Sequence, residues 1–202
     1  MHLTRFDVIF FAVLIPSIIL HEISHGWVAL MFGDDTAKRA GRLTLNPAAH
    51  VDPFGTIILP VLLILTTGRA FGYAKPVPVN PGKLRSPRNE GVVVSLAGPA
   101  VNVVLAVVAA VGLHSVRGAG TTRDVIFYLG FANVILAAFN LIPIPPLDGS
   151  ALLERLLPTA WWPKYLQLRQ YSFGILILVV LLVPGSLNRI FDSALRLWGH
   201  LL

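Results

Sequence analysis

The sequence contains no cysteine, and charged residues make up only 13% of its 202 positions. Without cysteine the chain cannot form disulfides, iron–sulfur clusters or thiolate zinc sites, so any metal must be held by histidine and carboxylate side chains. An ordinary soluble domain carries about a quarter charged residues, which supply its polar shell. This shortage of charge argues against a soluble monomer, and a hydrophobic content of 55% argues against intrinsic disorder. An integral membrane protein is the class that remains.

The 16 lysine and arginine residues are scattered along the chain, which has a formal net charge of +6. A nucleic-acid-binding protein needs a dense basic stripe with interleaved aromatic residues, so we expect no nucleic-acid partner. Basic loops of a membrane protein instead suit the anionic headgroups of a lipid bilayer.

Five apolar segments are candidates for membrane spans, each of which takes about 20 helical residues. They cover residues 6–32, 53–67, 91–113, 125–141 and 171–183. The second is short and contains Pro60, which predicts a kinked or partial span. We therefore predict an all-α, multi-pass bundle of about five to six spans, forming one membrane-embedded domain over residues 1–202.

Two further segments have patterns of their own. In residues 186–202 apolar side chains recur at helical spacing, which predicts an amphipathic helix lying on the membrane surface. Packing of that helix on the protein itself is the alternative. Residues 73–79 cannot be helical, because prolines two positions apart lack N–H donors, and we predict a short extended or hairpin segment there.

The first apolar segment contains the sequence His21-Glu22-Ile23-Ser24-His25, which fits the pattern H-E-x-x-H. Residues i and i+4 share one face of a helix, so His21 and His25 can reach one zinc ion while Glu22 contacts a metal-bound water. Ionisable side chains inside an apolar span are costly and mark functional sites. A hydrogen-bonded His/Glu cluster without metal is the alternative.

A hydrolytic zinc site needs three protein ligands and one open position. We predict Asp148 as the third ligand, because it follows an apolar stretch whose prolines exclude continuous helix and whose freed carbonyls must line a cavity or the protein interior. Capping of the next helix, residues 150–157, is the alternative role for Asp148. His50 is the competing ligand. Acidic residues of the polar loops, such as Asp34, are expected to be solvated.

Two asparagines lie in apolar segments, where their side-chain amides need hydrogen-bond partners. Asn140 closes an apolar helix, and we predict that it hydrogen-bonds a substrate carbonyl or an oxyanion, unless it is an ordinary C-terminal asparagine of its helix. Asn102 lies within the third apolar segment and predicts a hydrogen bond between helices.

These motifs together resemble those of the site-2 protease family, the intramembrane zinc metalloproteases. The resemblance rests on H-E-x-x-H-G in the first span and on N-L-I-P-I-P-P-L-D-G at residues 140–149. Segments 41–47, 50–55 and 97–102 are also similar to prokaryotic members of the family. A compact prokaryotic form without a PDZ or CBS domain is expected.

The resemblance implies an all-helical core in a cell membrane, with one zinc ion held by His21, His25 and Asp148. It implies that Glu22 is the catalytic base and that Asn140 positions substrate or stabilises charge. The substrates it implies are transmembrane segments of other membrane proteins. A metal transporter or channel that uses the same residues for ion transit is the alternative, as is a membrane zinc hydrolase of a non-peptide substrate.

Overall fold

A computed structural model describes residues 4–59, 61–62, 73–182, 185 and 187–202 of the chain. Within these ranges the regular structure is helical and no residue lies in a β-strand, which confirms the predicted all-α class. The helices are α1 (Arg5–Met31), α2 (Thr36–Arg39), α3 (Pro87–Ser115), α4 (Thr121–Asn140), α5 (Ser150–Leu156), α6 (Trp162–Arg169), α7 (Ser172–Leu182) and α8 (Asn188–Gly199). Short 3-10 or π turns lie at Pro47–His50, Pro53–Ile58, Pro81–Lys83 and Thr159–Trp161.

Helices α1, α3 and α4 form the central bundle and pack against one another. They contain 27, 29 and 20 residues and are long and apolar enough to cross a membrane. They coincide with the first, third and fourth predicted spans. The described part of the last predicted span, α7, has 11 residues, fewer than the roughly 20 that a crossing needs. Pro60 and part of the second predicted span lie outside the described residues, so a total of five to six spans stays a prediction.

The chain leaves α1 through a tight turn at Gly33, whose φ of +101° is one that glycine adopts without strain. The N–H of Asp34 then donates to the Ala29 carbonyl at 2.9 Å, which closes the end of the helix. The Asp34 side chain is fully buried and accepts hydrogen bonds from the backbone N–H groups of Thr36 (3.0 Å) and Asn80 (2.6 Å). The expectation that Asp34 is solvated is therefore wrong, because the neighbouring Thr36 and a distant segment that contains Asn80 supply donors to the buried carboxylate.

That distant segment is the extended stretch of residues 73–80. Its non-helical backbone confirms the prediction from proline spacing. The N–H of Lys75 donates to the His50 carbonyl at 2.9 Å, and the Arg42 guanidinium donates to the Lys75 carbonyl at 2.6 Å. These bonds and the Asp34–Asn80 bond fix the segment beside the second half of α1.

The C-terminal helix α8 confirms the helix predicted for the tail. Its Trp198 is buried against α3 and α4 and donates its indole N–H to the Ala106 carbonyl at 2.9 Å. Gly130 in α4 makes room for the indole, since any side chain there would overlap the ring. This face of α8 packs on the protein, as in the alternative stated above. Its position relative to the membrane surface stays a prediction, and Ser186 at the start of the tail lies outside the described residues.

Candidate metal centre

Three side chains with metal-ligating atoms converge in the middle of the bundle. His21 and His25 lie one turn apart on α1, are both buried, and have their Nε2 atoms 3.1 Å apart. Asp148 arrives from the loop after α4 and places Oδ2 3.0 Å from Nε2 of His21 and 3.4 Å from Nε2 of His25. Among the described residues, these form the group of histidine and carboxylate ligand atoms that lie within 4.8 Å of one another.

The loop that carries Asp148 is folded back against the end of α4. The Asn140 carbonyl accepts a hydrogen bond from the Gly149 N–H at 2.7 Å, which closes the loop. Any side chain at position 149 would overlap the Leu141 carbonyl, so this return of the chain requires glycine. Gly149 also occupies the N-cap position of α5, where no side chain forms a capping bond. The capping alternative for Asp148 is therefore wrong.

Helix α3 presses its backbone against both imidazoles at Gly98. A Cβ atom there would lie 2.5 Å from Nε2 of His25 and 2.6 Å from Nε2 of His21. The absence of a side chain thus leaves both Nε2 atoms accessible to a metal ion. Sequence reasoning missed this role of Gly98. The spacing of Gly98 and Asn102, which places them on one face of the helix, was the available signal.

The other nitrogen of each ring is hydrogen-bonded to an oxygen. Nδ1 of His25 donates to the Val94 carbonyl at 2.7 Å, and Nδ1 of His21 donates to Oδ1 of Asn102 at 2.5 Å. Asn102 also donates to Asn133 of α4 at 2.7 Å, which confirms its predicted hydrogen bond between helices. With a proton on each Nδ1, both Nε2 atoms carry lone pairs directed at Asp148.

These donor atoms fit a zinc ion. Oδ2 of Asp148 is buried and has no hydrogen-bond donor among the described residues. It lies in contact with two nitrogen lone pairs, so three electron-rich atoms face one another and a cation between them would remove the repulsion. Tetrahedral zinc with ligands at about 2.0–2.1 Å separates neighbouring ligand atoms by about 3.3 Å. The separations observed here are 3.0, 3.1 and 3.4 Å.

A cavity of about 790 Å³ adjoins the three ligands. Glu22 lines it and accepts a hydrogen bond from the Val77 N–H of the extended segment at 2.8 Å. Asn140 also lines it, with its side-chain amide donating to the Leu136 carbonyl at 3.0 Å. Glu22 and Asn140 therefore line the same cavity as His21, His25 and Asp148, while their chemical roles stay predictions.

The competing ligand His50 belongs to a different part of the molecule. It is buried in the loop after α2, where Nε2 donates to the Thr44 carbonyl at 2.9 Å. It is not a member of the group of converging ligands.

A bundle of apolar helices around two buried histidines and a partly buried aspartate, next to a cavity, is the arrangement of a membrane protein with a candidate metal centre. The chain belongs to peptidase family M50, the family of the site-2 proteases, whose sequence model matches residues 9–121 and 115–184.

The chain is similar to curated proteins of bacteria and archaea. It is 43% identical over 202 residues to "Putative zinc metalloprotease YwhC" of Bacillus subtilis, covering 92% of this chain and 89% of that protein. It is 39% identical over 184 residues to "Putative zinc metalloprotease Rip2" of Mycolicibacterium smegmatis, covering 87% of this chain and 66% of that protein. No solved structure shows a significant match. The chain is thus a membrane zinc metalloprotease.

Proposed function

We propose that the chain is a multi-pass protein of the cell membrane that hydrolyses peptide bonds in or near the transmembrane segments of other membrane proteins. The observation that carries this proposal is the convergence of His21, His25 and Asp148 inside an apolar bundle, beside a cavity that Glu22 also lines. A protease whose catalytic groups lie among membrane-spanning helices acts on peptide bonds that enter the membrane. Membrane-embedded polypeptides are the substrates that meet this condition.

In this proposal five polar side chains at the cavity divide three tasks. His21, His25 and Asp148 would hold zinc, which would supply an activated water and polarise the scissile carbonyl. Glu22 takes the proton of the water and delivers it to the leaving amine, as a general base and then a general acid. Asn140 turns its amide toward the carbonyl oxygen of the substrate, where negative charge develops.

The extended segment 73–80 is the proposed support for unwound substrate. A helical substrate must unwind first, because its peptide bonds are engaged in i→i−4 hydrogen bonds. The backbone N–H groups of Lys75 and Val77 already donate to His50 and Glu22, and Pro76 and Pro78 have no N–H. A substrate strand would therefore pair here mainly by donating its own N–H groups to carbonyl oxygens of the segment.

Cleavage of a labelled single-span membrane protein by the purified chain in detergent tests the proposal. We expect the wild-type chain to cleave it and a zinc chelator to stop cleavage. Glu22→Gln should retain zinc but cleave about 10²–10⁴-fold more slowly, since general-base catalysis contributes about that much. Glu90→Gln is the matched control, because Glu90 only accepts a bond from the Ser86 N–H at the start of α3, at 3.1 Å.

Two outcomes would support the alternatives and contradict the proposal. Zinc flux into vesicles without cleavage of any single-span substrate would identify a transporter. Zinc-dependent hydrolysis of a lipid, with the labelled protein left intact, would identify a non-peptide hydrolase. Full cleavage by Glu22→Gln would reject Glu22 as the general base.

A further inference from the structure

A continuous chain of buried hydrogen bonds runs from the metal centre across the bundle. Nδ1 of His21 bonds Oδ1 of Asn102 at 2.5 Å, and Nδ2 of Asn102 donates to Oδ1 of Asn133 at 2.7 Å. Nδ2 of Asn133 then donates to the Leu129 carbonyl at 2.8 Å and to the Ser17 hydroxyl at 2.9 Å. Both asparagines are fully buried, with 0% exposure, so water is not available to replace any of these partners.

The donor-to-acceptor direction of these hydrogen bonds is set at the end that lies farthest from His21. A backbone carbonyl can only accept, so the Leu129 carbonyl requires the NH₂ end of Asn133. The oxygen of Asn133 then faces Asn102 and requires its NH₂ end. The oxygen of Asn102 therefore faces His21, and only an imidazole with its proton on Nδ1 can donate to it.

We propose that Asn133 is a positioning residue that fixes the protonated nitrogen of His21 and thereby sets the affinity of the site for zinc. Asn133 acts through Asn102 and does not itself touch His21. The inference rests on His21 being a zinc ligand, as in the proposed function, but not on the identity of the substrate. An imidazole with its proton on Nε2 has no lone pair for the metal at that atom, so the wrong tautomer competes directly with zinc binding.

Two substitutions of Asn133 distinguish a role in orienting the Asn102 amide from a role in packing alone. Asn133→Leu keeps the branching and the number of side-chain heavy atoms but removes both the acceptor and the donor, so the Asn102 amide is free to turn its NH₂ end toward His21 and to favour a proton on Nε2. Asn133→Asp loses the bond to Ser17 but keeps the part of the chain that leads to His21 if the carboxyl is neutral, the state that burial favours. Its carbonyl oxygen still accepts from Asn102, and its hydroxyl still donates to the Leu129 carbonyl.

The tautomer can be read without any substrate by ¹H–¹⁵N correlation spectra of the histidine rings. The sample is the chelator-stripped wild-type chain in detergent, and the His21 signals are assigned by their loss in His21→Ala. We expect the proton of His21 on Nδ1 in the wild type and in Asn133→Asp, and a shift of population toward Nε2 in Asn133→Leu. A wild-type His21 ring protonated mainly on Nε2 overturns the proposal, whether or not any variant folds.

Zinc affinity, measured by competition with a chromophoric chelator, supplies the second readout. Partners of metal ligands are worth about 10- to 100-fold in metal affinity, so we expect Asn133→Leu to bind zinc at least about 10-fold more weakly. Asn133→Asp should stay within about threefold of the wild type. Equal zinc affinity in Asn133→Leu and the wild type, or an equal loss in both variants, contradicts the proposal.

Val134→Ala controls for loss of stability alone. Val134 is the next residue of α4 and is buried in the apolar cluster that contains Trp198, outside the hydrogen-bond chain. It should lower the unfolding temperature but leave zinc affinity and the His21 tautomer unchanged. A loss of zinc affinity as large in Val134→Ala as in Asn133→Leu would show that Asn133 is merely structural and would overturn the proposal. Failure of the chain to cleave transmembrane substrates would reject the proposed function and leave these readouts unaffected.

Discussion

The two halves of the central bundle use different chemistry to hold α3 and α4 to a third helix, α1 in one half and α8 in the other. In the half around the metal centre, α1, α3 and α4 are joined by directed hydrogen bonds among His21, Asn102 and Asn133. In the other half α3 and α4 meet α8 around an apolar cluster, with one hydrogen bond from the Trp198 indole to the Ala106 carbonyl. The buried members of that cluster are Ala106, Ala110, Leu113, Val134 and Trp198.

The comparison distinguishes the interactions that orient side chains, which are hydrogen bonds, from those that mainly stabilise the fold, which are apolar contacts. A hydrogen bond adds only about 0.5–1.5 kcal/mol to net stability, but it specifies which atom faces which. Apolar burial contributes roughly in proportion to area and has no preferred direction. Substitutions near the metal should therefore change zinc affinity more than stability, and substitutions around Trp198 should do the reverse.

Removal of a metal ligand should have the largest effect in the first half. Asp148→Asn should weaken zinc binding by more than about 100-fold, beyond the range for outer partners of metal ligands, and should reduce cleavage to background. Asp124→Asn is the matched control, since Asp124 pairs with Arg5 at 3.1 Å at the far end of the bundle. Metal analysis and the cleavage assay measure both variants. Equal zinc content in the two would contradict the assignment of Asp148.

In the half of the bundle around α8, removal of the Trp198 ring should have the largest effect on stability. Trp198→Ala should destabilise the chain by about 3–5 kcal/mol, the usual cost of emptying a buried aromatic site. Zinc affinity of the protein that remains folded should not change. Thermal unfolding in detergent and chelator competition test the two statements. A loss of zinc affinity as large as that of Asp148→Asn would show that the halves are not separable.

Substitution of Gly98 by alanine should lower both the stability of the chain and its affinity for zinc. Because the new Cβ would lie 2.5 Å from Nε2 of His25, the rings must move, and overpacking of this kind costs about 1–3 kcal/mol. Gly98→Ala should therefore bind zinc more weakly and cleave more slowly. Gly112→Ala on the same helix is its control, since its Cβ would meet Ile126 at an ordinary 3.4 Å. Indistinguishable zinc affinities for the two variants would remove Gly98 from the site.

The sequence predicted the parts of this arrangement that depend on local pattern. Apolar runs located α1, α3 and α4, and the spacing of His21 and His25 predicted a shared helix face. Asp148 needed a further argument from the prolines that precede it. The contact of Gly98 with the imidazoles and the bonds of Asn133 depend on the relative rotation and register of separate helices, which no local pattern specifies. The burial of Asp34 escaped prediction for the same reason, since its partner Asn80 lies 46 residues away.

The buried Asp34 should give the smallest effect and a dependence on pH. Burial opposes ionisation, but hydrogen bonds from Thr36 and Asn80 outweigh it and hold the pKa of Asp34 below its usual value. A lowered pKa stabilises the fold above the pKa of the unfolded chain, and this stability is lost as the pH falls through the folded-state pKa. Asp34→Asn should cost about 1–2 kcal/mol at neutral pH, a cost that shrinks below about pH 4. Unfolding temperatures at several pH values measure this difference, and a constant difference would contradict it.

The most direct test of the metal centre is zinc K-edge X-ray absorption of the zinc-loaded Glu22→Gln protein in detergent. The central claim predicts two imidazole ligands, from His21 and His25, and oxygen ligands for the remainder, at about 2.0–2.1 Å. A spectrum that requires three imidazoles would bring in a histidine outside the converging group, such as His50. That result, or a spectrum with a single imidazole, would contradict the site described above.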